Sequence, residues 1–195
     1  MSNGANETQP EPPTTTPDRD SHSVPSSLVL VNTGHGKGKS TAAFGTLLRS
    51  VALGWDVAVV QFLKGGKWQV GEEKVCRELG VTWLTAGDGF TWNSTDLDET
   101  EAKAVAAWKA AKQLILAGDH QLVVLDEISY ALTWEWIAVD DVVATIEGRP
   151  ANVSLILTGR DMVEPIIKVA DTVTEMVNVK HAFDSGKAAK RGIDH

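Results

Sequence analysis

From residue 28 onward, short apolar runs alternate with stretches in which apolar residues recur every three or four positions. The runs at 28–32, 57–62, 81–84, 122–125, 154–158 and 172–177 are predicted strands, and the helical spacing predicts helices over 39–53, 72–79, 100–117, 140–146 and 164–170. Gly54, Gly80, Gly118 and Gly148 each follow a helical stretch, where a left-handed residue commonly ends the helix. Strands alternating with helices, without an internal repeat, predict a three-layer α/β fold with a mostly parallel central sheet. Residues 1–26 break the pattern. Pro10, Pro12, Pro13, Pro17 and Pro25 stand there among Ser, Thr and acidic residues. Such a segment buries too little apolar surface to offset its ordering entropy, so a flexible tail is expected at 1–26 and one folded domain at 27–195.

Composition narrows the function. At 195 residues, 43% of them hydrophobic, the chain suffices for one well-buried domain. A net charge of −8 argues against a nucleic-acid surface held by general electrostatics, while leaving room for a local anion pocket. The one cysteine, Cys76, excludes an intramolecular disulfide and suits a reducing compartment; it reads as a packed thiol. No apolar stretch approaches a membrane span, and no signal-peptide pattern opens the chain. A cytoplasmic protein without membrane or nucleic-acid partners is expected.

The segment LVLVNTGHGKGKST, residues 28–41, leads from a strand through a glycine-rich loop into a helix. Glycines let the backbone curl so that several N–H groups face one anion, and the helix adds the positive end of its dipole. Lys39 contributes a charge and Ser40 a hydroxyl suited to Mg²⁺. The loop is irregular: the common spacing puts its first glycine where Thr33 stands, and Gly34 comes one place late. Ordinary phosphate placement therefore does not follow. A second motif, Leu122 to Glu127, is an apolar strand ending in Asp126 and Glu127. In a parallel sheet it delivers both acids to the ligand-binding edge, where they can meet Ser40 around one Mg²⁺. The fold expected is thus P-loop NTPase-like (RecA-like).

Other candidates stand at the same edge. Lys64 and Lys67 follow the second strand and read equally as substrate contacts or solvated loop lysines. Arg160 follows the fifth strand, where it either reaches the ligand edge or caps a helix. Phe90 and Trp92 lie in a loop, where aromatic rings either pack on the domain or offer a flat apolar partner a surface beside the triphosphate. Trp134 and Trp136 read as core or interface residues, with the lining of a large pocket as the alternative.

The segments TGHGKGKSTAAFGT, VVQFLKG, GFTW, VVLDEISY, ILTGR, ADTVTEM and VKHAFDSGKAAKRGID, in this order, resemble the P-loop corrinoid adenosyltransferases from about Leu28 to the C-terminus. The family loop reads Gly-Asn-Gly-Lys-Gly-Lys-Thr; His35 and Ser40 are this chain's departures from it. The resemblance implies transfer of the 5′-deoxyadenosyl group from ATP to Co(I) of a corrinoid, with release of triphosphate. It implies that Gly34, His35, Gly36, Lys37, Gly38, Lys39, Ser40 and Thr41 hold the triphosphate, with Arg49 as a further phosphate contact. Ser40 and Glu127 would contact Mg²⁺ (or Mn²⁺), with Asp126 in support; Phe90, Trp92 and Glu127 form the catalytic set. The two rings would occupy the lower corrin face, displace the axial ligand and make Co(II) easier to reduce. A flavoprotein reductase as electron donor and a homodimer are also implied. The chain departs from relatives whose N-terminal extension is basic and helical, because the corresponding segment here is rich in Pro, Ser and Thr. His181 reads as a structural residue rather than a metal ligand, since no second His or Cys stands at ligand spacing. A P-loop kinase or ATPase that releases ADP is the rival enzyme, and a non-catalytic ATP-dependent binding module the rival of another class.

Overall fold

The computed structural model describes residues 23–63, 71–85 and 97–194; of residues 97–99 it describes the helical backbone alone. The segment 1–22, within the expected tail, and the loops carrying Lys64, Lys67, Phe90 and Trp92 lie outside the described residues.

In chain order the elements are β1 (Val29–Thr33), α1 (Lys39–Ala52), β2 (Val57–Gln61), α2 (Gly71–Glu78), β3 (Thr82–Thr85), α3 (Leu97–Ala117), β4 (Leu122–Asp126), α4 (Ile128–Thr133), α5 (Val139–Glu147), β5 (Ser154–Thr158), α6 (Glu164–Val169) and β6 (Thr172–Glu175). A short 3-10 turn, Phe183–Ser185, follows. The strands form one six-stranded sheet in the order β3-β2-β4-β5-β1-β6. Every described pairing is parallel.

Strand chemistry follows position. The central strands β2, β4 and β5 are buried along their whole length, as apolar strands covered by helices on both faces must be. The edge strand β6 is exposed throughout. Alternation still sorts the residues by face. Val57 and Val59 join Ala43, Phe44 and Leu47 of α1 and Cys76 of α2, while Ala58 and Val60 join Trp108, Ala111 and Ile115 of α3. Ile128 and Leu132 of α4, Val142 and Ile146 of α5 and Ile166 of α6 pack into this second layer. Three layers result.

Two features differ from the sequence reading. The helix α4 is additional: six residues beginning immediately after Glu127, held by burial of Ile128, Ser129, Ala131 and Leu132 rather than by a periodic pattern. Gly54, Gly80 and Gly118 do adopt positive φ, but Gly148 has φ −86°. At that helix end Arg149 takes over one carbonyl, donating from Nη1 to Ile146 O at 2.7 Å, while its Nε donates to Val153 O, ahead of β5, at 2.9 Å. A left-handed residue is not needed there.

Candidate phosphate-binding site

The sheet order separates β1 from β4 by β5, so the end of β5 lies between the glycine loop and the acidic pair. Register brings Asn32 beside Thr158. Gly159 N–H donates to Asn32 O at 3.2 Å, and Met162 N–H donates to Thr33 Oγ1 at 3.2 Å. The loop entry and the β5 exit are thereby tied.

Gly34 has φ +94° and Gly38 φ +115°, backbone states that favour glycine. A second constraint comes from the far end of the chain. Beyond β6, Gly36 N–H donates to Met176 O at 2.6 Å, and Met176 N–H donates to Thr33 O at 2.8 Å. A Cβ on Gly34 would lie 2.6 Å from Met176 O, and one on Gly36 would lie 2.7 Å from Val177 O. The loop needs glycines because Met176 and Val177 press against it. This backbone bond turns one loop N–H toward the protein.

Gly38 caps α1, whose first turn holds no acidic residue, so the helix dipole faces the loop unopposed by an acid there. Lys39 is 8% exposed. Its Nζ donates to Gly34 O at 2.8 Å and Gly36 O at 2.9 Å, and Asn32 Nδ2 donates to Lys39 O at 3.2 Å. Burial lowers the Lys39 pKa and Arg160 adds to that; Glu127, Asp126 and Asp161 pull the other way. An ammonium poor in water gains more from an anion than a solvated one does.

Asp126 is completely buried. Its Oδ2 accepts from Gln61 Nε2 at 3.0 Å and its Oδ1 from Thr158 Oγ1 at 2.8 Å. The same Thr158 oxygen accepts Glu127 N–H at 2.9 Å. Glu127 itself has φ 61°, a left-handed state that costs a non-glycine residue about 1–2 kcal/mol. The Asp126–Thr158–Glu127 chain of hydrogen bonds holds that strained backbone and turns the partly buried Glu127 toward the loop. Glycine is required at Gly159, φ +138°, because a Cβ there would collide with the Ser129 side chain.

A cavity of about 210 Å³ is lined by His35, Gly36, Lys37, Gly38, Lys39, Ser40 and Thr41 of the loop and α1, together with Glu127, Arg160, His181 and Asp194. Most of the residues expected from sequence to hold triphosphate thus share one wall system with Glu127. His35 also reaches sideways, its Nε2 lying 3.1 Å from Asp161 Oδ1. Lys37 pairs with Asp194. Gly34 contributes its carbonyl to Lys39 rather than lining the cavity. Asp126 stands behind Glu127, bonded to Thr158 and Gln61. Arg49 is not among the lining residues: it sits in the last turn of α1, and ten residues of helix separate it from Lys39 by about 15 Å. The sequence left Arg160 open, and the structure puts it on the cavity wall. His181, read as structural, and Asp194, not singled out, also line the cavity. The sequence signal for them was the family-like C-terminal segment, which carried no spacing rule. A second, more apolar hollow of about 360 Å³ adjoins the first, sharing Phe44, Glu72 and Ile193 and lined also by Leu48, Val75 and Cys76.

Residues 26–195 match the family described as ATP:corrinoid adenosyltransferase BtuR/CobO/CobP. The chain is 45% identical over 169 residues to the corrinoid adenosyltransferase of Pseudomonas aeruginosa, covering 86% of this chain and 83% of that one. It is 39% identical over 168 residues to corrinoid adenosyltransferase CobA of Salmonella typhimurium, covering 86% and 85%. To the corrinoid adenosyltransferase of a Sinorhizobium species it is 44% identical over 170 residues, covering 86% and 79%. With the phosphate loop, the acidic strand end and the parallel sheet all present, the chain belongs to the ATP:corrinoid adenosyltransferase family.

Proposed function

We propose that this protein transfers the 5′-deoxyadenosyl group of ATP to Co(I) of a corrinoid and releases inorganic triphosphate. One observation carries the reading: in a chain of this family, the loop residues Lys37, Lys39 and Ser40 share a cavity with Glu127 and Arg160. The cobalt nucleophile attacks the ribose 5′ carbon, the C5′–O5′ bond breaks, and its electron pair leaves on the triphosphate. No general base is needed. The protein's tasks are alignment and stabilisation of the leaving charge.

The residues divide that work. Lys39, Lys37 and Arg160 balance triphosphate charge, and the N-terminal amides of α1 bind its oxygens. Mg²⁺ fits the donors present: Ser40 offers a hydroxyl and Glu127 a carboxylate on walls of one cavity, the oxygen ligands this ion prefers. When bound, the ion would neutralise part of the triphosphate charge. Asp126 supports Glu127 through Thr158. Phe90 and Trp92 are assigned to the lower corrin face on the family resemblance. Replacing either by Ala is expected to impair turnover from Co(II) plus reductant more than turnover from preformed Co(I). Equal losses in the two assays would refute that role. A homodimer, a flavoprotein electron donor and a cytoplasmic location complete the proposal; no helix among the described residues is long and apolar enough to cross a membrane.

The test is anaerobic incubation with ATP, Mg²⁺ and chemically generated cob(I)alamin. Loss of the Co(I) absorption, a light-sensitive Co–C bond and stoichiometric triphosphate are expected. Release of ADP instead would overturn the assignment.

A further inference from the structure

The segment after β6 brings His181 and Asp194 to the phosphate cavity. Asp194 is already engaged, with Oδ1 beside Lys37 and Oδ2 accepting Lys190 N–H at 2.7 Å. His181 differs, because its neighbours fix which ring nitrogen carries the proton. Phe183 N–H donates to His181 Nδ1 at 3.1 Å. A ring nitrogen that accepts carries no proton in neutral imidazole, so the proton sits on Nε2.

The local backbone holds this arrangement. Asp184 N–H donates to His181 O at 3.2 Å, and Gly186 N–H donates to Phe183 O at 2.9 Å, closing the 3-10 turn Phe183–Ser185. Ser185 Oγ donates to Ala182 O at 2.8 Å. The donor to Nδ1 is therefore part of a closed turn rather than a loose strand. The partly buried ring lines a cavity whose walls also carry Lys37, Lys39, Ser40 and Arg160, donors suited to a polyphosphate, together with the acidic Glu72, Glu127 and Asp194.

We propose that His181 donates its Nε2–H to an oxygen of the bound triphosphate and steadies it as the C5′–O5′ bond breaks. The bond-breaking role rests on the adenosyl-transfer reading; the anion contact rests on the cavity alone. As the electron pair of the broken bond passes to the triphosphate, its oxygens become better acceptors. The hydrogen bond then strengthens toward the transition state. No proton is transferred.

The test compares the full-length wild type with His181→Ala, His181→Asn and His181→Gln. Thermal unfolding establishes that each is folded. Loss of a hydrogen bond to a charged group predicts a kcat lower by about 10- to 100-fold in the Ala and Asn variants, with a smaller change in KM for ATP. Their affinity for inorganic triphosphate, measured by calorimetry, falls as well. His181→Gln, whose amide nitrogen reaches about as far as Nε2, recovers most of both. In ¹⁵N-histidine NMR spectra the wild type shows the Nε2–H tautomer, and its Nε2 signal moves when triphosphate is added. A His181→Ala variant with wild-type kcat and triphosphate affinity overturns the inference, as does an unmoved imidazole signal at saturating triphosphate. Wild type that binds triphosphate through His181 but transfers no adenosyl group refutes the proposed function and leaves the anion contact standing. Wild type that binds no triphosphate refutes the anion contact, while the transfer assay decides the proposed function separately.

Discussion

Thr158→Val removes one oxygen and almost nothing else, so it isolates the hydrogen-bond chain behind Glu127. The site is completely buried, and valine matches threonine in shape. Two bonds are lost together: the hydroxyl's donation to Asp126 Oδ1 at 2.8 Å and its acceptance of Glu127 N–H at 2.9 Å. A hydrogen bond to a charged group contributes about 1.5–3 kcal/mol, and a buried N–H left unsatisfied costs about 1–3 kcal/mol. The expected destabilisation is therefore about 2.5–6 kcal/mol, a large part of the 5–15 kcal/mol typical of a domain. Urea unfolding followed by far-UV circular dichroism measures it. On the proposed Mg²⁺ role of Glu127, losing a bond that helps hold its strained φ of 61° is expected to raise the Mg²⁺ concentration for half-maximal activity. Thr158→Ser keeps the hydroxyl and is expected to retain most of the Mg²⁺ response. A Val variant within about 0.5 kcal/mol of wild type, the scatter of ordinary surface substitutions, with an unchanged Mg²⁺ dependence, would refute the reasoning.

Gly36→Ala puts a methyl 2.7 Å from Val177 O and 2.8 Å from Met176 O, so backbone must yield; overpacking of this kind costs about 1–3 kcal/mol. Thermal unfolding and ATP titration should both worsen, and wild-type values in both would show that the loop and tail are not in firm contact. Asp194→Asn removes the anion paired with Lys37, so ATP should half-saturate at a concentration about 2- to 5-fold lower at low salt, the scale of an exposed ion pair. That gain should shrink as salt is added, and weaker ATP binding by the variant would refute it. In the proposed role Lys39 binds phosphate as the ammonium, and burial depresses its pKa below the ordinary 10.5. Proton loss on the alkaline side removes the positive charge, so ATP affinity should decline as pH rises through that depressed value. Calorimetric titration across alkaline pH checks this, and affinity unchanged up to the ordinary lysine range would contradict it.

Much of the scaffold was legible because local pattern and tertiary environment agree. The apolar runs of β2, β4 and β5 are buried along their length, and their alternation sorts Val57 and Val59 from Ala58 and Val60. The glycine loop and the acidic end of β4 were legible from local residue type, and the structure brings them to one cavity. What stayed hidden depends on distant pairings. The helix α4 is too short to carry a period, and burial against the sheet sustains it. Arg149 replaces a left-handed glycine through a carbonyl that no sequence rule links to it. His181 and Asp194 reach the cavity only because the chain doubles back after β6.

Strand β1 lies between β5 and β6, so the first strand of the sheet waits for the last two before it gains a neighbour. The glycine loop then leans on Met176 and Val177. During synthesis from the N-terminus, the phosphate-binding motif emerges early but stays without its flanks until nearly the whole chain has left the ribosome. A nascent chain halted before β5 would carry the entire motif and still lack the cradle, so nucleotide binding reports that translation has run almost to completion.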